Sequence, residues 1–173
     1  MRPTKSRILS LKDVPLHDWA DADGVRARIA WVGYRMGSRK LGFNVTVIVP
    51  GRSAFPFHAH HANEEMFFVL EGRGTIRIGK DRHPIRKGDF ISLPPGRRYA
   101  HQIVNTSTRP LRFLAVSTME LPEVGEYPES GKIGVFTGTP PGRRASRGDI
   151  RRWFRLRDDV GYWEGEKRGS GKK

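Results

Sequence analysis

The chain has 173 residues, 36% hydrophobic and 29% charged, a length and composition that favour one globular domain able to bury a sizeable core. It contains no cysteine, which excludes a disulfide framework, cysteine-ligated zinc or iron–sulfur sites and a cysteine nucleophile. Its 32 Lys and Arg against 18 Asp and Glu give a net charge of +14. Along the chain, residues 1–25 read as an N-terminal arm interrupted by Pro3 and Pro15. Short strands with turn signals follow. Arg28 to Met36 reads as one strand. Gly42 to Val49 alternates, with Phe43, Val45, Val47 and Val49 on one face. Glu65 to Leu70, Thr75 to Ile78, His83 to Arg86, Phe90 to Leu93, Ala100 to Val104 and Leu111 to Thr118 are further strands. Gly79-Lys80-Asp81 and Lys87-Gly88-Asp89 turn between them. No stretch between 26 and 118 repeats its apolar residues at 3.6, so an antiparallel sandwich or barrel is expected. From Glu120 onward Pro and Gly punctuate the chain, and an irregular strap is expected, with Lys132 to Phe136 as an edge strand. Trp153, Phe154, Tyr162 and Trp163 are too large and apolar for a free tail and should pack against the core or a second subunit.

The basic excess is uneven: residues 140–173 hold 11 Lys and Arg against 5 Asp and Glu. Such a surface retains nucleic acid at low salt without specificity. No DNA- or RNA-reading motif accompanies it, so nucleic acid is not the expected partner. No apolar run approaches the roughly 20 residues of a membrane span. Met1 to Ser10 is basic but leads into no unbroken apolar stretch, so a cytoplasmic location without a leader is expected.

The chemistry concentrates in Gly51-Arg-Ser-Ala-Phe-Pro-Phe-His58-Ala-His60-His61-Ala-Asn-Glu64-Glu65. His58 and His60 are two apart and face the same side of an extended segment. Glu65 opens the next strand and shares the parity of Phe67 and Val69, whereas Glu64 does not. A carboxylate on an apolar face is costly unless paired or bound to a metal. His101, on a later strand, is the fourth candidate ligand. Three imidazoles and one carboxylate suit Fe(II), Mn(II), Ni(II), Cu(II) or Zn(II) without choosing among them.

These segments resemble the two motifs of the cupin superfamily. The first runs Gly51, six residues, His58-x-His60, four residues, Glu65, six residues, Gly72. The second runs Gly88, five residues, Pro94-x-Gly96, four residues, His101, three residues, Asn105. The first motif carries one extra residue before His58. The second carries two extra, which place Tyr99 where the family has its histidine and leave His101 in the same strand parity. Leu70 to Gly74, Gly88 to Phe90 and Tyr162 to Glu166 further resemble the short single-domain bacterial cupins, a group largely without assigned activity. The resemblance implies an all-β jelly-roll barrel or sandwich, which the strand pattern places over 26–118; the punctuation of the chain itself gives an N-terminal arm over 1–25, a strap over 119–165 and a disordered basic tail over 166–173. It also implies one divalent metal on His58, His60, Glu65 and His101.

Arg97, Arg98 and Tyr99, in the enlarged loop before His101, are expected near the metal end as contacts for a small anion. His61 should face outward or serve structure, Asn105 should close a turn, and His17 and His83 should lie on the surface. Phe55 and Phe57 should line the barrel mouth or core. The core is expected from Phe43, Val45, Val47, Phe67, Val69, Ile76, Ile78 and Phe113. Met66, Phe68 and Leu70 form a second apolar face on the Glu65 strand that a homodimer would cover. The expected function is that of a metal-dependent enzyme on a small polar or anionic molecule, by oxygenation, isomerisation or lyase chemistry. The alternatives are a small-ligand sensor without catalysis and a basic polyanion-binding protein.

Overall fold

A computed structural model describes residues 7–139 and 145–166. The expected basic tail therefore lies, beyond Glu166, outside the described residues, as do Arg143 and Arg144. In chain order the strands are β1 (His17–Asp21), β2 (Gly24–Ala30), β3 (Leu41–Ile48), β4 (Ala59–His60), β5 (Glu65–Glu71), β6 (Arg73–Ile78) and β7 (Asp81–Arg86). They continue as β8 (Phe90–Leu93), β9 (His101–Val104), β10 (Leu111–Thr118), β11 (Glu123–Tyr127), β12 (Lys132–Phe136) and β13 (Arg151–Arg155). A single helical turn, α1 (Val32–Arg35), joins β2 to β3.

Three sheets result. The largest runs β1-β2-β3-β10-β5-β8, a second β7-β6-β9, and a third β13-β12-β11-β4. The pairings are antiparallel, as the turn-rich sequence requires. Ile76, Ile85 and Ile103 of the small sheet pack with Ile48, Val69, Leu111 and Phe113 of the large one, so the main core lies between these two layers. Phe67 and Phe113 meet edge to face there, 5.4 Å apart. Gly72 turns out of β5 with φ +84, and a Cβ on it would meet the Pro110 carbonyl oxygen at 2.5 Å. Only glycine fits that close approach. Asn105 is buried and closes the next loop, donating to the carbonyls of Ile48 and Arg109 and accepting from the Ser107 amide.

Several sequence expectations are corrected. Arg28 to Met36 is not one strand: β2 ends at Ala30, and the chain needs the α1 turn to reverse into its neighbour β3. On β3 the inward residues are Thr46 and Ile48, not the valines. Thr46 tolerates full burial because its hydroxyl donates to Asn44 Oδ1 at 2.8 Å. Val45 instead joins Val14 and Ala30 in an outer cluster, with Leu9 and Leu70 packed against it. Part of the second apolar face is thus covered by the N-terminal arm, whose β1 also pairs with β2. The strap is not irregular. β11 and β13 flank β12, which therefore lies inside its sheet and is not an edge. Trp153 packs on Phe136, 5.5 Å away. Tyr162 and Trp163 stay 87% and 77% exposed, so the end of the strap does not fold onto the core. Among the described residues no helix is long and apolar enough to cross a membrane.

Candidate metal centre

The short strand β4 and the start of β9 bring the first histidines together. His58 donates its amide to the His101 carbonyl at 3.1 Å and accepts the His101 amide at 2.7 Å. Residues opposite one another in such an antiparallel pair point the same way, and the two ring centres lie 4.6 Å apart. His60, one pleat further on, has its ring centre 5.0 Å from that of His58. A tight loop then returns the chain into β5, whose first residue, Glu65, points back at the rings.

The geometry is that of converging lone pairs. His58 Nδ1 lies 2.9 Å from the Pro56 carbonyl oxygen, His101 Nδ1 3.1 Å from that of Tyr99, and His60 Nδ1 3.2 Å from Glu123 Oε1. Each of these partners can only accept from the ring, so in the neutral imidazoles the proton sits on Nδ1 and Nε2 is a bare acceptor. Glu65 Oε2 lies 3.2 Å from His101 Nε2 and 3.5 Å from His60 Nε2. Glu65 Oε2 and His101 Nε2 are both buried and complete no hydrogen bond. Acceptors turned on one another without a donor leave a place whose natural complement is a cation. Donor atoms of His58, His60 and Glu65 all lie within 4.8 Å of one another. His101 touches Glu65 but stands farther from His60, at 6.3 Å between ring centres. The donor set, imidazole nitrogen with one carboxylate oxygen, fits a divalent transition metal.

Electrostatics agree for His58 and Glu65, and His60 differs. Burial, and then His101 and His60, push the His58 imidazole down to about 3. Burial raises the Glu65 carboxyl, but His60 and His101 outweigh it and bring it down to about 2. Burial also works against a charged His60, yet Glu65 and Glu123 more than offset it and hold this imidazole above its usual value.

Sequence reasoning missed Glu123. This carboxylate is 0% exposed, lies on β11 and serves as a hub. Besides His60 it accepts from the backbone amides of His61, Ala62 and Asn63, at 3.2, 3.2 and 2.9 Å, and from the Asn63 side chain. It therefore fixes the loop that separates His60 from Glu65. Glu126, also on β11, takes His61 Nε2 at 3.0 Å, which gives His61 the structural role expected of it. Glu123 is nonlocal to everything it holds, and no spacing rule in the sequence marks it.

Arg97 and Arg98 are exposed in the turn that follows Gly96. Arg97 Nε pairs with Glu126 Oε1 at 3.3 Å, and the Arg98 guanidinium lies over the Tyr99 ring. Neither arginine nor Tyr99 lines the cavity beside the cluster. That cavity has a volume of about 400 Å³ and is walled largely by aromatic side chains, Phe55 and Tyr127 among them. Phe57 instead packs with Ala59 and Ala100 under the Arg77 guanidinium. His17 and His83 are exposed.

Fold and site together define a jelly-roll protein with an imidazole–carboxylate cluster. Residues 44–117 match the family model of the cupin domain, and the chain carries a cupin domain over that span. It is 37% identical over 70 residues to an uncharacterized protein of Methanocaldococcus jannaschii, covering 40% of this chain and 54% of that one. It is 32% identical over 88 residues to a glucose-6-phosphate isomerase of Pyrococcus horikoshii, covering 44% of this chain and 46% of that one. The chain thus spans about half the length of these curated relatives. A cupin-superfamily sugar phosphate isomerase of Silicibacter pomeroyi superposes with a TM-score of 0.72 at 21% identity, over 87% of this chain and 94% of that one. At that identity the likeness is one of fold.

Proposed function

We propose that this chain is a metal-dependent cupin enzyme that binds a small molecule in the cavity beside His58, His60, Glu65 and His101. The observation that carries the reading is the grouping of His58, His60 and Glu65 donor atoms within 4.8 Å of one another at the cavity wall, with Glu65 Oε2 and His101 Nε2 buried without a hydrogen bond beside them. A divalent cation there would supply Lewis acidity, or activate water or dioxygen. The protein's own part is positional. Pro56, Tyr99 and Glu123 keep the Nδ1 protons in place, Glu65 brings the negative charge, and the aromatic walls exclude water. The isomerase named among the relatives supports a small-molecule substrate. It does not fix the reaction, because this fold hosts several chemistries.

The second reading is a binding module that holds such a ligand without turnover. It is favoured by the lining itself: outside the four cluster residues, the titratable side chains lining the cavity are the phenols Tyr34 and Tyr127 and the guanidinium of Arg151. The outer face that keeps Phe68 and Phe90 in contact, with Phe90 73% exposed, supports a homodimer. Arg97, Arg98 and Tyr99 stay assigned as outer contacts for an anion near the metal end.

Elemental analysis of untagged protein tests the metal. Wild type should retain about one divalent ion per chain, and His58→Ala, His60→Ala and Glu65→Ala should lose it. Retention of metal by all three variants overturns the reading. Screening the metal-loaded protein for turnover then separates enzyme from binding module.

A further inference from the structure

The cavity wall is unlike a site for a sugar phosphate. Trp19 and Phe55 lie 5.6 Å apart on it, and Phe136 and Trp153 meet at 89° on it. Tyr127 lies nearly parallel to the His58 ring, at 23° and 6.1 Å between centres. Among the described residues lining the cavity, Glu65 is the one carboxylate and Arg151 the one Lys or Arg. The Arg151 guanidinium lies 6.0 Å from the centre of the Phe136 ring. A sugar phosphate brings several hydroxyls and a dianion, each needing partners once it leaves water, and the polar side chains of the lining, Asn44, Asn63, Gln102, Ser117 and Thr118, already hydrogen-bond within the protein. A flat apolar ring gains from edge and face contacts with aromatic walls. The planar fork of a guanidinium matches one carboxylate. The volume of about 400 Å³ is in the range of small-molecule sites and has room for a fused ring pair.

We propose that the cavity selects a planar aromatic carboxylate, its ring between the aromatic walls and its carboxylate on Arg151. This rests on the reading of the cavity as the ligand site, and it names the ligand class that this reading leaves open.

The test is calorimetric titration of the full-length, metal-loaded protein with four probes: 2-naphthoate, 2-naphthalenemethanol, glucose 6-phosphate and oxalate. 2-Naphthoate should bind at least tenfold more tightly than each of the other three. It should also change the tryptophan fluorescence, because Trp19, Trp31 and Trp153 line the cavity. Arg151→Gln should bring 2-naphthoate down to the affinity of the uncharged alcohol and leave the alcohol unchanged. Trp153→Ala should weaken both aromatic probes alike, and Trp19→Ala repeats that test on the opposite wall should β13 fail to form. Tighter binding of glucose 6-phosphate or oxalate overturns the proposal. So does 2-naphthoate binding that is indifferent to Arg151→Gln and to both tryptophan variants. The metal content of the same samples keeps the two claims apart. Protein without metal that binds 2-naphthoate sinks the metal reading alone. Metal-loaded protein that prefers the hydrophilic anions sinks this proposal alone.

Discussion

His60 Nδ1 lies 3.2 Å from Glu123 Oε1, across 63 residues of sequence. That contact links the His60 ring of the candidate centre to the strap, and the remaining lone pairs of the same carboxylate gather the amides of the loop on the other side of His60. Outer carboxylates of this kind orient metal-bound histidines and raise their basicity.

Glu123→Gln keeps the shape and loses the charge. We expect metal affinity to fall by about 10- to 100-fold while the fold persists. Glu123→Ala also strands buried amides and should cost about 3–5 kcal/mol of stability. Competition titration with a chelator and chemical denaturation measure the two effects. Equal metal affinity in Glu123→Gln and wild type would show that the contact orients nothing.

Acid should destabilise the metal-free protein in stages. Glu123 and Glu65 have depressed values in the fold, so their contribution is present above about 4.5 and is lost as pH falls, for Glu65 toward about 2. His58, held neutral down to about 3, adds to the loss because the unfolded chain takes that proton from 6.5 downward. His60 runs the other way. Its raised value means that its contribution is complete below 6.5 and fades as pH rises through that raised value. Melting temperatures of chelator-treated protein should therefore drop from pH 6.5 to 3, less steeply in Glu123→Gln below 4.5. A flat profile contradicts the assignment.

The core and the centre should come apart under mutation. Leu111 is fully buried between the layers, and Leu111→Ala should cost about 2–5 kcal/mol while metal content per folded chain is preserved. His58→Ala should do the reverse. Denaturation curves and elemental analysis on the same preparations check both. A loss of fold in His58→Ala would mean that the metal is structural.

Exposed Phe90 and half-buried Phe68, 4.3 Å apart, are the place to break a dimer. Light scattering near physiological salt should give about twice the 19.7 kDa chain mass, and Phe68→Asp should halve it. A single-chain mass over a wide concentration range removes the dimer, and the N-terminal arm through Leu9 and Val14 remains as the cover of this face.

The sequence was most legible where the code is short-range. His58, His60 and Glu65 are within eight positions of one another, and strand parity alone places them on one side. Leu111–Thr118 reads as a strand with the bounds it has, because a short apolar run starts directly after the Pro110 break. On β3 parity pointed the valine face inward, against a face that carries Asn44 and Thr46, and the satisfied hydroxyl of Thr46 reversed that answer. β11 was illegible for a different reason. It turns Glu123 and Gly125 inward, and what makes a buried glutamate tolerable lies some sixty residues away. The cavity was hidden likewise, since Trp19 and Trp153 belong to opposite arms and only the fold brings them to one cavity with Phe55.

The hub at Glu123 also orders events in time. Chains emerge from the ribosome N-terminus first and long-range pairings form late, so His58, His60, Glu65 and His101 are all synthesised before the residue that holds the loop between them. A nascent chain that has reached Thr118 possesses every proposed ligand and the layers of its core, with His60 still free to choose its tautomer. Under the proposed function, maturation of the centre would wait on the docking of β11, and a metal arriving earlier would meet a more adaptable and less selective set of donors.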